Sequence, residues 1–189
     1  MRKYLVFLGL AALLVLSACG NQSGNQANTN GSKDHSNKGD MNMRDMNHNG
    51  SGEVPAGLKE AANPKFKVGS QAIINADHMP GMNGATATIV GAYDTTVYAV
   101  SYTPTDGGPK VTNHKWVIHE ELKDPGSAPL SPGTKVTLEA DHMAGMKGAE
   151  ATIDSAEQTT VYMVDYTPTT GGDPVKNHKW VVESELSAK

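Results

Sequence analysis

Short runs of alternating apolar and polar residues recur along the last two thirds of the chain. Residues 95–102 and 159–166 are the clearest of these runs, and proline and glycine follow each of them. Alternation with a period of two predicts strands with one buried face, and the glycine and proline clusters predict turns. No window has the apolar spacing of a long amphipathic helix. The pattern therefore predicts an all-β fold.

The same pattern occurs twice. Residues 69–122 align without a gap with residues 133–186 and are identical at about 32 of 54 positions. Such a match indicates duplication of a folding unit. Five strand candidates in each copy of about 55 residues predict two tandem small SH3-like barrels, residues 61–124 and residues 125–189. This fold analogy does not by itself indicate a function.

The first 60 residues follow another pattern. A basic start, an apolar run over residues 4–16 and small residues before Cys19 resemble a bacterial lipobox. This order predicts a signal peptide over residues 1–18, cleavage before Cys19, a lipid on its sulfur and a membrane anchor outside the cytoplasm. The alternative is an ordinary signal peptide with a chance cysteine. The polar residues after it predict a disordered linker up to about residue 60.

The composition and the absence of known motifs argue against several classes of function. The net charge is −4, so a nucleic-acid partner is not expected. The single cysteine excludes an intrachain disulfide. Because the chain has no paired-cysteine redox motif, nucleophile elbow or zinc-protease helix, we expect that it is not an enzyme. We also expect a monomer.

A histidine and two methionines recur within a glycine-containing motif, Asp-His-Met-x-Gly-Met-x-Gly, at residues 77–84 and 141–148. Imidazole and thioether together suit soft or borderline ions, so we expect copper, and Cu(I) before Cu(II). Zinc makes little use of methionine. The alternative is a turn whose methionines fill a small core. The candidate ligands are His78, Met79, Met82, His142, Met143 and Met146.

A second motif, Asn-His-Lys-Trp-Val, recurs at residues 113–117 and 177–181. His114 and His178 are further candidate ligands, with a structural hydrogen bond as the alternative. The tryptophans are expected to be core residues. Asp77 and Asp141 would either orient the neighbouring imidazole or cap its turn.

The linker also carries histidine and methionine. We interpret this segment as a metal-collecting arm, although a low-complexity spacer with incidental methionines is the alternative. Its candidate ligands are His35, Met41, Met43, Met46 and His48.

Together, the lipobox, the His/Met linker and the doubled motifs resemble the YdhK family of bacterial lipoproteins, over residues 66–186. The chain is also similar to the CopL copper-resistance lipoproteins. This resemblance implies a membrane-attached, extracytoplasmic protein that binds copper and lowers its toxicity. We hypothesise that such a protein sequesters Cu(I) and passes it to a copper exporter. The competing hypothesis is a non-catalytic module that binds cell wall or peptide, because SH3-like barrels often bind wall peptides.

Overall fold

The computed structural model describes residues 50–189, and these residues form a nearly all-β structure. The predicted all-β class with tandem repeats is confirmed. Two 3-10 turns, His119–Glu121 and Glu183–Glu185, each follow a long hairpin. No helix in this part of the chain is both long and apolar enough to cross a membrane. The strands are β1 (Lys59–Glu60), β2 (Gln71–Ile74), β3 (Thr86–Tyr102), β4 (Val111–Ile118), β5 (Lys135–Thr137), β6 (Glu150–Tyr166), β7 (Val175–Val182) and β8 (Leu186–Ala188).

Two long strands, β3 and β6, organise the sheet. Each has 17 residues, and they pair antiparallel from Ala87 opposite Tyr166 to Tyr102 opposite Ala151. The sequence predicted two short strands in place of each, over residues 85–90 and 95–102 in the first repeat and over residues 149–153 and 159–166 in the second. The stretch between those predicted strands stays extended because its backbone has partners on both sides: Tyr93 lies opposite Val161 in β6 and also opposite Glu60 in β1.

Each packed lobe of the molecule takes strands from both repeats. The first lobe contains β2, the first half of β3, the second half of β6, β7 and β8. The second lobe contains β4, the second half of β3, the first half of β6 and β5, and an isolated bridge joins Leu122 to Leu138. The predicted boundaries, residues 61–124 and 125–189, therefore mark the two repeats in the sequence. They do not mark the two lobes, since each lobe packs strands of one repeat against strands of the other.

The buried apolar residues follow this exchange. The core of the first lobe joins Ile74 and Met82 of repeat one to Tyr162 and Leu186 of repeat two. The core of the second lobe joins Tyr98 of repeat one to Leu138 and Met146 of repeat two, among others. Because apolar burial is the main driving force of folding, neither repeat encloses a core without the other. A third core lies between the lobes and contains Val97, Ala99, Trp116, Ile118, Val161, Met163, Trp180 and Val182.

Several sequence predictions lie outside the described residues. These are the signal peptide, the lipid-bearing Cys19, the linker up to residue 49 and all five of the arm's histidines and methionines. The end of the predicted linker, residues 50–60, is described and includes β1.

Candidate functional site

A cleft of about 1450 Å³ lies between the lobes. Loops and strands of both repeats line it. Because each lobe contains strands of both repeats, the histidine motifs of one repeat lie opposite those of the other. The cleft collects four of the seven histidines and two of the methionines of the chain. Six of the eight predicted ligands in the repeats are therefore brought together: His78, Met79, His114, His142, Met143 and His178.

Met82 and Met146 are the two predicted ligands that do not line the cleft. Met82 has 0% exposure and packs in the core of the first lobe, and Met146 has 0% exposure in that of the second. The loop folds as a tight turn in which the Met82 N–H donates to the carbonyl of Met79, 3.1 Å away. One methionine of the turn consequently faces the core and the other faces the cleft. Met82 and Met146 are therefore packing residues, which is the alternative that the sequence offered for the methionines of this loop.

The glycine of each histidine loop lets the loop dock on the opposite repeat. Thr169 donates its N–H to the Gly81 carbonyl at 2.8 Å, and Thr105 makes the equivalent bond to Gly145 at 2.9 Å. Gly81 has φ +77°, and a Cβ there would lie 2.5 Å from Oγ1 of Thr170. Only glycine combines this backbone conformation with so close a contact. The docking fixes the neighbouring histidine and methionine at the edge of the cleft.

A glutamate from the other repeat, buried in the case of Glu121 and half-buried in the case of Glu185, holds each loop histidine. Nε2 of His78 lies 2.8 Å from Oε1 of Glu185, while Trp116 Nε1 and the Val182 N–H donate to Oε2 at 3.0 and 3.1 Å. The sequence offered Asp77 either for this orienting role or as a cap of its turn. The structure places Glu185 there because the exchange of halves brings the second 3-10 turn against the first histidine loop.

The second lobe repeats this arrangement with Glu121. Its Oε1 lies 2.8 Å from Nε2 of His142, and Trp180 Nε1 and the Ile118 N–H donate to Oε2 at 3.0 and 3.2 Å. Sequence reasoning missed both glutamates. Their signal was available, since Glu121 and Glu185 are identical at equivalent positions of the two repeats.

These contacts keep both glutamates ionised. Burial alone would raise the pKa of Glu121, but the charge and hydrogen bond of His142, with the Ile118 and Trp180 N–H groups, hold that pKa below its ordinary value. The pKa of Glu185 is lowered in the same way: burial opposes the shift, and His78 and Trp116 favour it. Two carboxylates thus lie beside the cleft, each already bonded to an imidazole.

His114 has an unusual environment. Burial, followed by the neighbouring His142 and His78, lowers its pKa to about 4, while Glu121 acts in the opposite direction. Its Nε2 is buried and has no hydrogen-bond partner. The rings of His114 and His142 are 6.3 Å apart between centroids. A neutral imidazole with an unpaired buried nitrogen therefore lies next to a second imidazole.

A thioether adjoins this pair of imidazoles. The Tyr102 ring is 6.0 Å from the His114 ring, and the Tyr102 hydroxyl donates to Sδ of Met143 at 4.0 Å. In residues 50–189, no three His, Cys, Asp or Glu side chains are placed to hold a metal ion together. A metal bound here would thus need the thioether as a ligand or a low coordination number. The donor set fits a soft ion such as Cu(I).

The family model described as a protein of unknown function, DUF1541, matches residues 68–119 and 132–183. The chain belongs to this family. The two matched segments contain all eight predicted ligands of the repeats, and the expected membership of the YdhK family is confirmed. The protein of Bacillus subtilis strain 168 called "Uncharacterized protein YdhK" is 61% identical over 189 residues, which cover 99% of this chain and 90% of that protein.

Solved structures agree with the fold. The crystal structure of the YdhK protein of the DUF1541 family from Bacillus subtilis is 68% identical, with a TM-score of 0.74. The match covers 77% of this chain and 99% of that chain. The solution NMR structure of the YdhK C-terminal domain is 70% identical, with a TM-score of 0.63. It covers 66% of this chain and 94% of that one.

Proposed function

We propose that this protein is a copper-sequestering lipoprotein that holds Cu(I) in the cleft between its lobes and protects the cell from copper toxicity. Soft thioether ligands and neutral imidazoles favour Cu(I) over harder divalent ions. Thioethers also bind the ion without forming disulfides, as thiols can outside the cell. The copper is cargo, so the protein needs no catalytic group.

The observation that carries this proposal is the state of His114. A buried nitrogen without a hydrogen-bond partner is costly unless a ligand satisfies it. Burial lowers the pKa of His114 to about 4, so its Nε2 keeps a free lone pair at neutral pH. His142, with its ring centroid 6.3 Å away, is the nearest second imidazole on that side of the cleft. Together with the Met143 thioether they make a His-His-Met donor set.

The loop histidines fit a ligand role as well. A metal-bound imidazole commonly has its other nitrogen hydrogen-bonded to a carboxylate, which fixes the ring. Nε2 of His78 is bonded to Glu185, and its Nδ1 is buried without a partner. Met79 and His178 line the same cleft, so the pseudo-symmetry offers a second donor set. In this proposal the His/Met arm collects the ion for the cleft.

A competition titration against a chromophoric Cu(I) chelator tests the proposal. To remove the arm's contribution, His35, His48 and the arm methionines are first replaced by serine in the full chain. In that background we expect His114→Gln to lower Cu(I) affinity at least about tenfold, since a ligand is lost.

The matched control is His119→Gln. His119 bonds the Tyr98 hydroxyl at 2.9 Å and the Gly126 carbonyl at 3.1 Å and does not line the cleft. We expect its variant to keep the affinity and stoichiometry of the parent. An unchanged titration for His114→Gln would refute the cleft as the copper site.

The same proposal places the protein on the extracytoplasmic face of the membrane, with Cys19 as its lipid anchor and a copper exporter as a possible recipient. The lipobox order of residues 1–19 supports this placement. Cys19→Ala should abolish incorporation of labelled fatty acid and release the protein or leave its precursor uncleaved. Normal membrane attachment and processing of the variant would refute the anchor.

A further inference from the structure

Residues 50–54, which we call the strap, lie along strand β7 at the wall of the cleft. The Gly50 N–H donates to the Lys176 carbonyl at 2.9 Å, and Nδ2 of Asn177 donates to the Gly50 carbonyl at 3.3 Å. Nζ of Lys179 donates to the Glu53 carbonyl. The strap therefore docks on an edge strand through its backbone groups and turns at Gly52, where φ is +78°.

Strand β4 presents the same edge in the other repeat. Asn113 and Lys115 correspond to Asn177 and Lys179, and the two asparagines share a left-handed backbone, with φ 52° and 51°. Like β7, β4 pairs with a long strand on one side only. Within residues 50–189, no backbone hydrogen bond from another segment reaches Thr112, which corresponds to Lys176.

Exposure along the two edges differs as expected for one covered and one open edge. Val175 is buried, and both Asn177 and Lys179 are half-buried. Their counterparts in β4 are more exposed at each position: Val111 is half-buried, and Asn113 and Lys115 are exposed. The residues of a recognition edge are thus present twice, and among the described residues only one copy is covered.

We propose that the open edge of β4, from Thr112 to Lys115, is a binding site for a glycine-containing peptide segment of another polypeptide, docked through its backbone as the strap is on β7. The occupant of β7 defines the chemistry of this ligand. It runs in the direction of the strand, offers one N–H to the carbonyl of Thr112 and presents carbonyl groups to the Asn113 amide and the Lys115 ammonium group. An unpaired strand edge is a template for such a partner.

The strap also defines which sequences fit. A Cβ added to Gly50 would lie 2.3 Å from the Asn177 carbonyl oxygen, so this position excludes every other residue. Gly52 has φ +78° and a Cβ there would lie 3.2 Å from Nδ2 of Asn177. A ligand of β4 must therefore carry glycine at two positions separated by one residue. The hydrogen bonds that hold the strap on β7 come from Lys176, Asn177 and Lys179, so the proposal does not depend on copper binding, although His114 lies within the β4 edge.

The test uses a synthetic peptide with the sequence of residues 49–55, added to the isotope-labelled, metal-free protein. We expect saturable amide shifts at Val111–Lys115 in the protein's NMR spectrum. A second peptide, with alanine in place of both glycines, should cause no saturable shifts. Its first Cβ would clash with the Asn113 backbone, and its second would crowd the Asn113 side chain at a position with a left-handed backbone.

Two variants locate the site. Asn113→Asp keeps a residue that tolerates a left-handed backbone but removes the side-chain donor, so we expect affinity to fall about three- to tenfold. Asn113→Gly, which adds no charge, should lower affinity similarly. The matched control, Asn177→Asp, loosens the chain's own strap on β7 and should leave peptide affinity at β4 unchanged.

Two results would overturn the proposal. In one, the shifts occur only along Val175–Lys179, which would mean that the peptide merely displaces the chain's own strap. In the other, no saturable shift occurs at millimolar peptide, which would mean that the β4 edge does not bind such segments.

Discussion

The two methionines of each histidine loop are three residues apart and have opposite environments. Met146 is fully buried among apolar residues of both repeats, whereas Met143 has 37% exposure and contacts the Tyr102 hydroxyl beside the cleft. The first repeat has the same division, with Met82 in the core and Met79 at the cleft. One motif therefore combines a packing residue with a residue available for chemistry.

This division follows from where the turn lies. A tight turn brings its first and fourth residues close together, and this one lies between a core that contains Met146 and a cleft that Met143 lines. In the second loop the Met146 N–H bonds to the Met143 carbonyl at 3.1 Å, which closes the turn. Identical side chains at these positions consequently have unequal roles, and substitutions should separate stability from metal binding.

The largest expected effect is the loss of stability on truncating an inner methionine. Met146→Ala should lower the free energy of unfolding by about 2–5 kcal/mol, because it removes buried thioether and methylene groups and leaves a cavity. Met143→Ala, at the exposed position, should stay within about 0.5 kcal/mol of the parent. Denaturant titrations of both variants measure the difference. Equal losses would show that the turn does not separate the two side chains.

Lowering the pH should reduce the free energy of unfolding through His114, the imidazole that lies beside Met143. His114 has an ordinary pKa of 6.5 and a folded pKa of about 4, so between these values the unfolded chain binds a proton that the folded protein does not. Its contribution is fully present above pH 6.5 and is lost as the pH falls towards 4. The loss should be on the order of 2–3 kcal/mol.

Unfolding titrations at successive pH values measure the slope of the unfolding free energy against pH. The groups that face His114 are His142 and His78, which lower its pKa, and Glu121, which raises it. His114→Gln should flatten the slope between pH 6.5 and 4, while the control His119→Gln should retain it. An unchanged slope in His114→Gln would assign the acid sensitivity to another group.

The glutamate behind the loop should have a smaller effect. Glu121→Gln keeps an acceptor for Trp180 but loses the charge-assisted bond to His142, so stability at pH 7 should fall by about 1–2 kcal/mol. The pKa of Glu121 is lowered on folding, so its contribution exists above the ordinary value of 4.5 and is lost as the pH falls through the folded pKa. The variant should also lose that acid-dependent step.

Glu150→Gln is a matched control for this substitution, since Glu150 is exposed at the start of β6. Its stability should remain within about 0.5 kcal/mol of the parent at all pH values. Loss of the acid step in this control, or its persistence in Glu121→Gln, would contradict the role assigned to the buried glutamate.

The sequence predicted the all-β class and the duplication, because both depend on local patterns. It left open whether the two histidine motifs lie close together, which the contacts between the repeats decide. It did not predict that β3 and β6 run unbroken through residues 91–94 and 155–158, since pairing with distant partners keeps those residues extended. For the same reason the sequence did not indicate Glu185 as the carboxylate that orients His78. Contacts between repeats depend on topology, and a period of two within one strand carries no information about its partner.

The sharpest test of the comparison replaces methionine by leucine at the outer pair, Met79 and Met143, or at the inner pair, Met82 and Met146. Met→Leu roughly conserves volume and apolar character, so each double variant should lose less than about 1.5 kcal/mol per site in stability. In the arm-substituted background, Met79→Leu with Met143→Leu should lower Cu(I) affinity about tenfold, because leucine cannot coordinate the ion. Met82→Leu with Met146→Leu, buried in the two cores, should leave affinity and stoichiometry unchanged. A Cu(I) competition titration, with unfolding curves for both variants, separates the two roles. If the inner pair carries the affinity and the outer pair does not, the loops must open their cores to bind copper, and the cleft is not the site.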